Sequence, residues 1–498
     1  MAAAFLLTGS HLRSFTAAAA PQASPSSAPV ARQRQLTRDI DTLLAARALS
    51  KGTWGISVRS LADNRSLYST NAGKLLLPAS NMKIVTLAAA AERLGWEHTF
   101  LTELRASGTI ANGVLNGDLV VVGNGDPSFE DWDGSATLLF VAWAEQLRAA
   151  GITRIEGRVV GDDDNFEDER LGAGWAWDDL DRSFAAGVGA LQFNENSTQV
   201  TVVPALDPGV PPAISVAPPV SDLLLRGNVR TGPARSAASL NFQRRPSDLG
   251  LSVSGSVPAG GAPVVRNVSV PNPTLYYVES LRRVLVANRI EIAGPAVDID
   301  DIDHRPARAG EKLIASYRSA ALSSIAETMM KLSQNLFAET LLRTVGMRSG
   351  VGSVEAGRVE VQSVLKRIGL SDEDVVIADG SGLSRYNLVT ADALAAILTH
   401  VAKDPVLDGP FETALPIAGI DGTLERRFRG TAAEGIVHAK TGSLSNARAL
   451  SGFVRPAAGE PLVFSIIANN FGTSVDAIDQ AIDAIVVKLA QYATASRR

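Results

Sequence analysis

The chain of 498 residues contains no cysteine. This excludes disulfides, thiolate metal sites and a cysteine nucleophile. It leaves the compartment open, because a chain of this length buries a core without crosslinks. Histidine is sparse: His11, His98, His304, His400 and His438 are scattered, and no two have the helical spacing of a zinc motif. There is no P-loop, no strand–GxGxxG–helix unit and no G-x-S-x-G elbow of the α/β-hydrolase kind. No uncharged apolar stretch reaches the roughly 18 residues a membrane helix needs, so nothing spans a bilayer apart from a leader that is cleaved. The net charge is −5 with no run of like charges, whereas a nucleic-acid binder shows a basic stripe. Lysine is scarce, with 9 against 38 arginines. Where arginine serves as the general-purpose cation, a lysine points to chemistry that arginine cannot perform, because only lysine can shed its proton and act as a base.

What is present is a globular composition, 46% apolar and 20% charged, long enough for about three domains. Residues 1–32 read as an export leader and linker: AAAFLLTG is followed by TAAAAPQASPSSAPVA, whose AAAA before Pro21 resembles a signal cleavage zone. The expectation is an exported protein of the periplasm or extracytoplasmic envelope. Folded sequence starts near Gln33. Thr53–Ser60 and Ser66–Thr70 read as strands around an Asp63-Asn64 turn, and Pro78 leads into an Ala/Leu helix ending near Gly95. From about 99 to 306 short strands and Gly/Pro/Asn/Asp turns dominate, with Ser197–Pro273 a module within this module. Helical patterns return over Tyr317–Arg348, Val354–Ile368 and Thr390–Val401. Strands at Ala447–Val454 and Leu462–Asn469 and a helix at Ser474–Tyr492 close the chain. The expected fold class is α+β: one domain built from both chain ends (33–98 and 306–498), an inserted β-rich domain (99–196 and 274–305), and a second β-rich insert (197–273).

Three short patterns occur in order: Ser80-Asn81-Met82-Lys83, Ser333-Gln334-Asn335 and Lys440-Thr441-Gly442. S-x-x-K, S-D-N and K-T-G together are the signature of serine β-lactamases and penicillin-binding proteins. A second S-x-x-K at Ser363–Lys366 reads as a solvated helix face, and a second S-x-N stands at Ser239–Asn241. Ser80 and Lys83 share one face of a helix start, where the dipole stabilises negative charge on the attacking oxygen. Lys83 can take the hydroxyl proton only if burial and a second cation, Lys440, lower its pKa. Ser333 can relay a proton to the leaving amine and Asn335 can hold a substrate amide. Lys440-Thr441-Gly442-Ser443 precedes and opens a strand that can pair with an extended peptide. There Gly442 lets the substrate backbone come close, and Lys440, Thr441 and Ser443 face a terminal carboxylate. The N–H groups of Ser80 and Ser443 form the expected oxyanion hole.

With these motifs, the stretches PASNMKIVTLAAAAERLG, GNGDPSF, SQNLFAETLLRTVG, DGSGLSRYN, DGTLERRF and HAKTGSLSNARALSGFV resemble the D-alanyl-D-alanine carboxypeptidase/endopeptidase family, the class C low-molecular-mass penicillin-binding proteins. The resemblance runs from Leu77 to Val454. The 253 residues between Ser80 and Ser333 leave room for the inserted domains that this family implies. It implies a β-lactamase/transpeptidase-like domain, an antiparallel sheet flanked by helices. It further implies Ser80 as acyl-enzyme nucleophile, Lys83 as general base, Ser333 and Asn335 as second motif, and Lys440, Thr441 and Gly442 as third. Gln334 departs from the Asp of S-D-N. Peptidoglycan stem peptides become the substrate, with crosslinks as a further target, and β-lactams covalent inhibitors. No metal or cofactor is called for. Asp379, Arg385 and Arg448 are cleft candidates left out of the catalytic set, since turn formation and ion pairing account for them equally well. The alternatives are a serine β-lactamase and a non-catalytic wall-binding or penicillin-sensing protein.

Overall fold

The structure, a computed structural model, describes residues 27–245, 250–306 and 310–494 together with Met1. Residues 2–26 of the expected leader lie outside the described residues. Residues 27–32, also assigned to it, start the helix Ser27–Leu44.

Five antiparallel strands form the sheet that carries the site, in the order Val437–Leu444, Ala447–Val454, Leu462–Asn469, Thr53–Ser60, Ser66–Thr70. Successive side chains on a strand face opposite ways, and both faces are apolar. Leu450, Val454, Phe464 and Ile466 pack with Leu36, Ile40, Ile482 and Ile485 of the helices Ser27–Leu44 and Val475–Thr494. Ala449, Phe453, Val463 and Ile467 pack with Ile84, Leu87, Leu394 and Leu398 of the helices Met82–Leu94 and Ala391–Lys403. The sheet is therefore the middle of three layers. Two serines interrupt the second face. Buried Asn81 donates through Nδ2 to Ser451 Oγ (2.7 Å), and the Ser451 hydroxyl donates to Ser465 Oγ (2.9 Å). This row fastens the turn ahead of the Lys83 helix to the sheet.

The insert is more helical than the expected β-rich domain. Its seven-stranded sheet is covered by the helices Ser135–Ala149 and Pro273–Ala287. The first helix buries Ala136, Phe140, Trp143, Ala144 and Leu147, a helical spacing. The second starts with Asn272 accepting from Leu275 N and with Pro273 in its first turn. The strand Lys312–Arg318, expected beyond the boundary at 306, pairs antiparallel with Leu101–Ala111 of the insert sheet. Residues 197–269 form two three-stranded sheets around Val200, Val202, Leu251 and Val253.

The Tyr317–Arg348 pattern is not one helix. It holds the end of that strand, then Leu322–Lys331 and Asn335–Gly346 as separate helices. Ser333 breaks them apart with φ +62°, a conformation no helix residue adopts.

Ser451→Ala removes the acceptor of the buried Asn81 amide. Denaturant melts are expected to show a loss of about 1–3 kcal/mol.

Candidate active site

Pro78 precedes a 3-10 turn, Ala79–Asn81, which leads into the helix Met82–Leu94. Ser80 is thus presented on a turn rather than within the helix. Ala79 is buried with φ +48°, a strained backbone for a residue with a side chain. Gly382 packs on it so closely that a Cβ there would lie 1.8 Å from the Ala79 carbonyl oxygen.

Lys83 lies one turn along and is fully buried. Its Nζ lies within hydrogen-bond distance of Ser80 Oγ (3.1 Å), Asn335 Oδ1 (2.7 Å) and the Ser381 carbonyl (2.8 Å). Asn335 Oδ1 and the Ser381 oxygen can only accept. A neutral amine has two N–H donors and one lone pair. With both donors taken, the lone pair is left for the Ser80 hydroxyl. Burial pushes Lys83 down to about 7, against the upward pull of the Asp379 and Glu339 carboxylates. The lowering of Lys83 comes from burial rather than from the second cation expected, and burial together with the charge of Lys83 pushes Lys440 well below the usual lysine range.

Lys440 Nζ donates to Ser333 Oγ (2.9 Å) and to the Thr441 carbonyl (3.0 Å). Ser80, Ser333, Asn335 and Ser443 line one cleft of ≈ 400 Å³, so all three motifs converge. The Lys440-Thr441-Gly442 motif lies inside the edge strand Val437–Leu444, not ahead of it. Gly442 is required for a different reason from the one expected: a Cβ would sit 2.6 Å from the Pro78 carbonyl oxygen, so the glycine lets the Ser80 turn dock on the strand. Thr441 donates its hydroxyl to Thr423 Oγ1 (2.8 Å). Asn335 is already spoken for at both ends, since its Nδ2 donates to the Phe184 carbonyl (2.8 Å). The second copies of the motifs lie elsewhere. Ser363 accepts from Arg93 Nη2 (2.8 Å) with Lys366 exposed, and Ser239 is exposed at a strand end beside Ser256 (3.2 Å).

Of the residues set aside in the sequence, Arg385 and Arg448 line the cleft. Asp379 is buried behind it, accepting from Gly382 N (2.7 Å), Ser384 N (2.6 Å), Asn387 Nδ2 (2.6 Å) and Trp175 Nε1 (2.9 Å). Several residues had been missed. Asp179 and Phe184 bring the insert into the cleft wall. Glu339 and Arg343 are both fully buried, 3.5 Å apart on one helix face. Their signal was two charged residues four apart in an apolar helix, which can be buried only as partners. The insert residues carry no local signal.

Gln334, where the pattern has Asp, donates to Glu195 Oε1 of the insert (2.5 Å). Glu195 lies between Asn194 and Asn196 in a run of left-handed residues. This contact ties the side chain next to Ser333 to the insert, while the backbone there is closed by the Gln334 N–H on the Met329 carbonyl (3.1 Å). Among the described residues, the acidic cluster that could hold a metal ion is Asp163, Asp298 and Asp300. Asp298 already pairs with Arg170 and Asp300 with Arg305, and all three lie in the insert. Glu195→Ala is expected to slow acylation of the cleft serine by on the order of tenfold to a hundredfold, with the melting temperature nearly unchanged.

Comparison with known proteins follows the same lines. Residues 36–492 match the D-Ala-D-Ala carboxypeptidase 3 (S13) family. A D-alanyl-D-alanine carboxypeptidase of Actinomadura sp. (strain R39) is 37% identical over 479 residues, covering 93% of this chain and 86% of the relative. D-alanyl-D-alanine carboxypeptidase DacB of Haemophilus influenzae is 30% identical over 425 residues, covering 84% and 86%. The crystal structure of penicillin binding protein 4 from H. influenzae superimposes with a TM-score of 0.79 at 27% identity, over 91% of this chain and 99% of that one. A second crystal structure of that protein, complexed with a β-lactam, superimposes with a TM-score of 0.74 at 25% identity, over 92% and 99%. A cleft built from three convergent serine-peptidase motifs, on a chain that matches along nearly its whole length, places this protein in the S13 family of serine-type D-Ala-D-Ala carboxypeptidases.

Proposed function

We propose that Ser80 is the acyl-enzyme nucleophile and Lys83 its general base. The observation that carries this is the pair of acceptors on Lys83, Asn335 Oδ1 and the Ser381 carbonyl, which together aim the amine lone pair at Ser80 Oγ. In the first step the Ser80 proton moves to Lys83 while Oγ bonds to the carbonyl carbon between the two terminal D-alanines. The oxyanion is received by the N–H groups of Ser80 and Ser443. The C–N bond to the terminal D-alanine then breaks as the proton taken by Lys83 is relayed through the hydroxyl of Ser333, hydrogen-bonded to Lys440, to the departing amine. Water then releases the shortened stem peptide and regenerates Ser80. The sequence of steps uses no metal or cofactor.

Peptidoglycan stem peptides are the substrate of this reading. The strand Val437–Leu444 is an edge of its sheet and suits strand addition by an extended peptide. Arg385 and Arg448, which line the cleft with Ser443, supply charge for a terminal carboxylate, and Thr441 and Ser443 supply hydroxyls; Lys440, buried and bound to Ser333, acts through that serine. A β-lactam presents a strained amide in place of the terminal dipeptide, and its ring opening leaves a slowly hydrolysed ester on Ser80. Crosslink cleavage follows from the same chemistry where the scissile bond joins two stems. The enzyme works in the extracytoplasmic envelope, where this substrate is. No helix among the described residues is long and apolar enough to cross a membrane.

A fluorescent penicillin is expected to label the wild-type protein and not Ser80→Ala; equal labelling of the two removes Ser80 from its role. Release of D-alanine from a diacyl-Lys-D-Ala-D-Ala tripeptide is expected to fall by at least about a hundredfold in Lys83→Ala. Protonated Lys83 cannot accept the Ser80 proton, so kcat/KM is expected to fall as pH drops through about 7 and to level off above it.

A further inference from the structure

The loop that holds Lys83 is gripped from both sides. Glu339, fully buried and one turn beyond Asn335, accepts through Oε1 from the N–H groups of Gly380 (3.1 Å) and Ser381 (2.8 Å). The carbonyls of the same two residues face the opposite helix. The Gly380 oxygen accepts from Thr86 Oγ1 (2.7 Å) and the Ser381 oxygen from Lys83 Nζ (2.8 Å). Two successive loop residues thus lie between the Glu339 carboxylate and the amine.

Charge is arranged in the same direction. When Lys83 takes the Ser80 proton, a cation forms in a site without solvent. No carboxylate touches it. The charged groups around it are Asp379 in the loop, Glu339 and Arg343 on the helix behind, and Lys440 on the edge strand. Asp379 and Glu339 favour the ammonium, and Lys440 is itself pushed well below the usual lysine range. Arg343 only partly cancels Glu339, because its contact with Oε2 is long (3.5 Å) and its Nη2 donates to the Glu169 carbonyl (3.1 Å).

We propose that Glu339 is a positioning residue of the reaction: it clamps the loop whose Ser381 carbonyl orients Lys83, and through that loop it supplies the buried counter-charge for the ammonium formed as Ser80 attacks. This rests on the Ser80–Lys83 reading above. Glu339 is itself pushed up to about 7 by burial and by Asp379, and held down by Arg343 and the loop N–H groups. A carboxylate so poised titrates in the same range as Lys83. Contact distance is unnecessary, because a buried opposite charge a few ångströms away shifts a pKa by about 1–3.

The test is the pH dependence of the second-order acylation rate with a chromogenic cephalosporin. Glu339→Gln keeps an oxygen for the two N–H groups and removes the charge. Lys83 then loses a stabiliser of its protonated form, so the acid limb is expected to move to lower pH by about one unit, with a lower plateau rate because the base is weaker. Glu339→Asp keeps the charge and is expected to retain the wild-type limb with a reduced plateau. A folded Glu339→Gln with its limb unmoved and only its plateau lowered overturns the electrostatic role. If Glu339→Gln fails to fold, Glu339→Asp decides alone: a limb at the wild-type position supports the proposal, and a limb moved down by about one unit overturns it. A wild-type enzyme that is not acylated at all overturns the Ser80–Lys83 reading instead, and this proposal with it.

Discussion

A lysine amine with no access to water and no carboxylate in contact is the constraint around which this cleft is built. Burying a charged amine without a partner is costly, and the fold meets that cost by letting the amine be neutral. Its surroundings are polar but uncharged at contact distance: an amide oxygen, a peptide carbonyl and a hydroxyl. Each comes from a different part of the chain, and each is fixed by something else. Asn335 opens a helix, Ser381 lies in a loop folded around Asp379, and Ser80 rests on a turn tied through Asn81 to the sheet. Moving any one of them changes what the amine faces, and with it the proton affinity on which the proposed role as base depends.

The insert takes part in this arrangement directly. It sends a backbone carbonyl to Asn335, a carboxylate to Gln334, an indole N–H to Asp379 and an amide to Thr340. Arg343, deep in the catalytic core, reaches out to a backbone carbonyl of the insert. The second motif is therefore held by the insert as much as by its own helix. The substitution of Gln for Asp at position 334 makes sense in this setting, because an amide can donate to Glu195 where a carboxylate would repel it.

Much of this was legible in the sequence. Short strands stand where the pattern put them, whether alternating as in Thr53–Ser60 or continuously apolar as in Leu462–Asn469. The motifs were legible because their chemistry needs particular residues at short spacing. Legibility failed where the deciding contact was distant. The break at Ser333 was missed for another reason: the turn that ends the helix, closed by the Gln334 N–H on the Met329 carbonyl (3.1 Å), puts a serine where a glycine is usual. The requirement for glycine at 442 was visible, but the neighbour that imposes it, Pro78, was not. Glu339 could be flagged only as a charge in an apolar helix. The helix Ser135–Ala149 was hidden by the turn-rich sequence around it, although its own apolar spacing is helical.

The sheet order carries a consequence for how the molecule is made. The strand Thr53–Ser60 hydrogen-bonds along its length to Leu462–Asn469, so two of the central strands come from opposite ends of the chain. A ribosome must deliver nearly the whole polypeptide before that pairing can close. The insert, with its own cores, has all its strands by Arg318, and domains fold as units in order of synthesis. The Ser80 half of the cleft is thus synthesised first and completed last. A nascent or truncated chain carries Ser80 without the strand that frames it, and so the hydrolase stays silent until its final strands are in place.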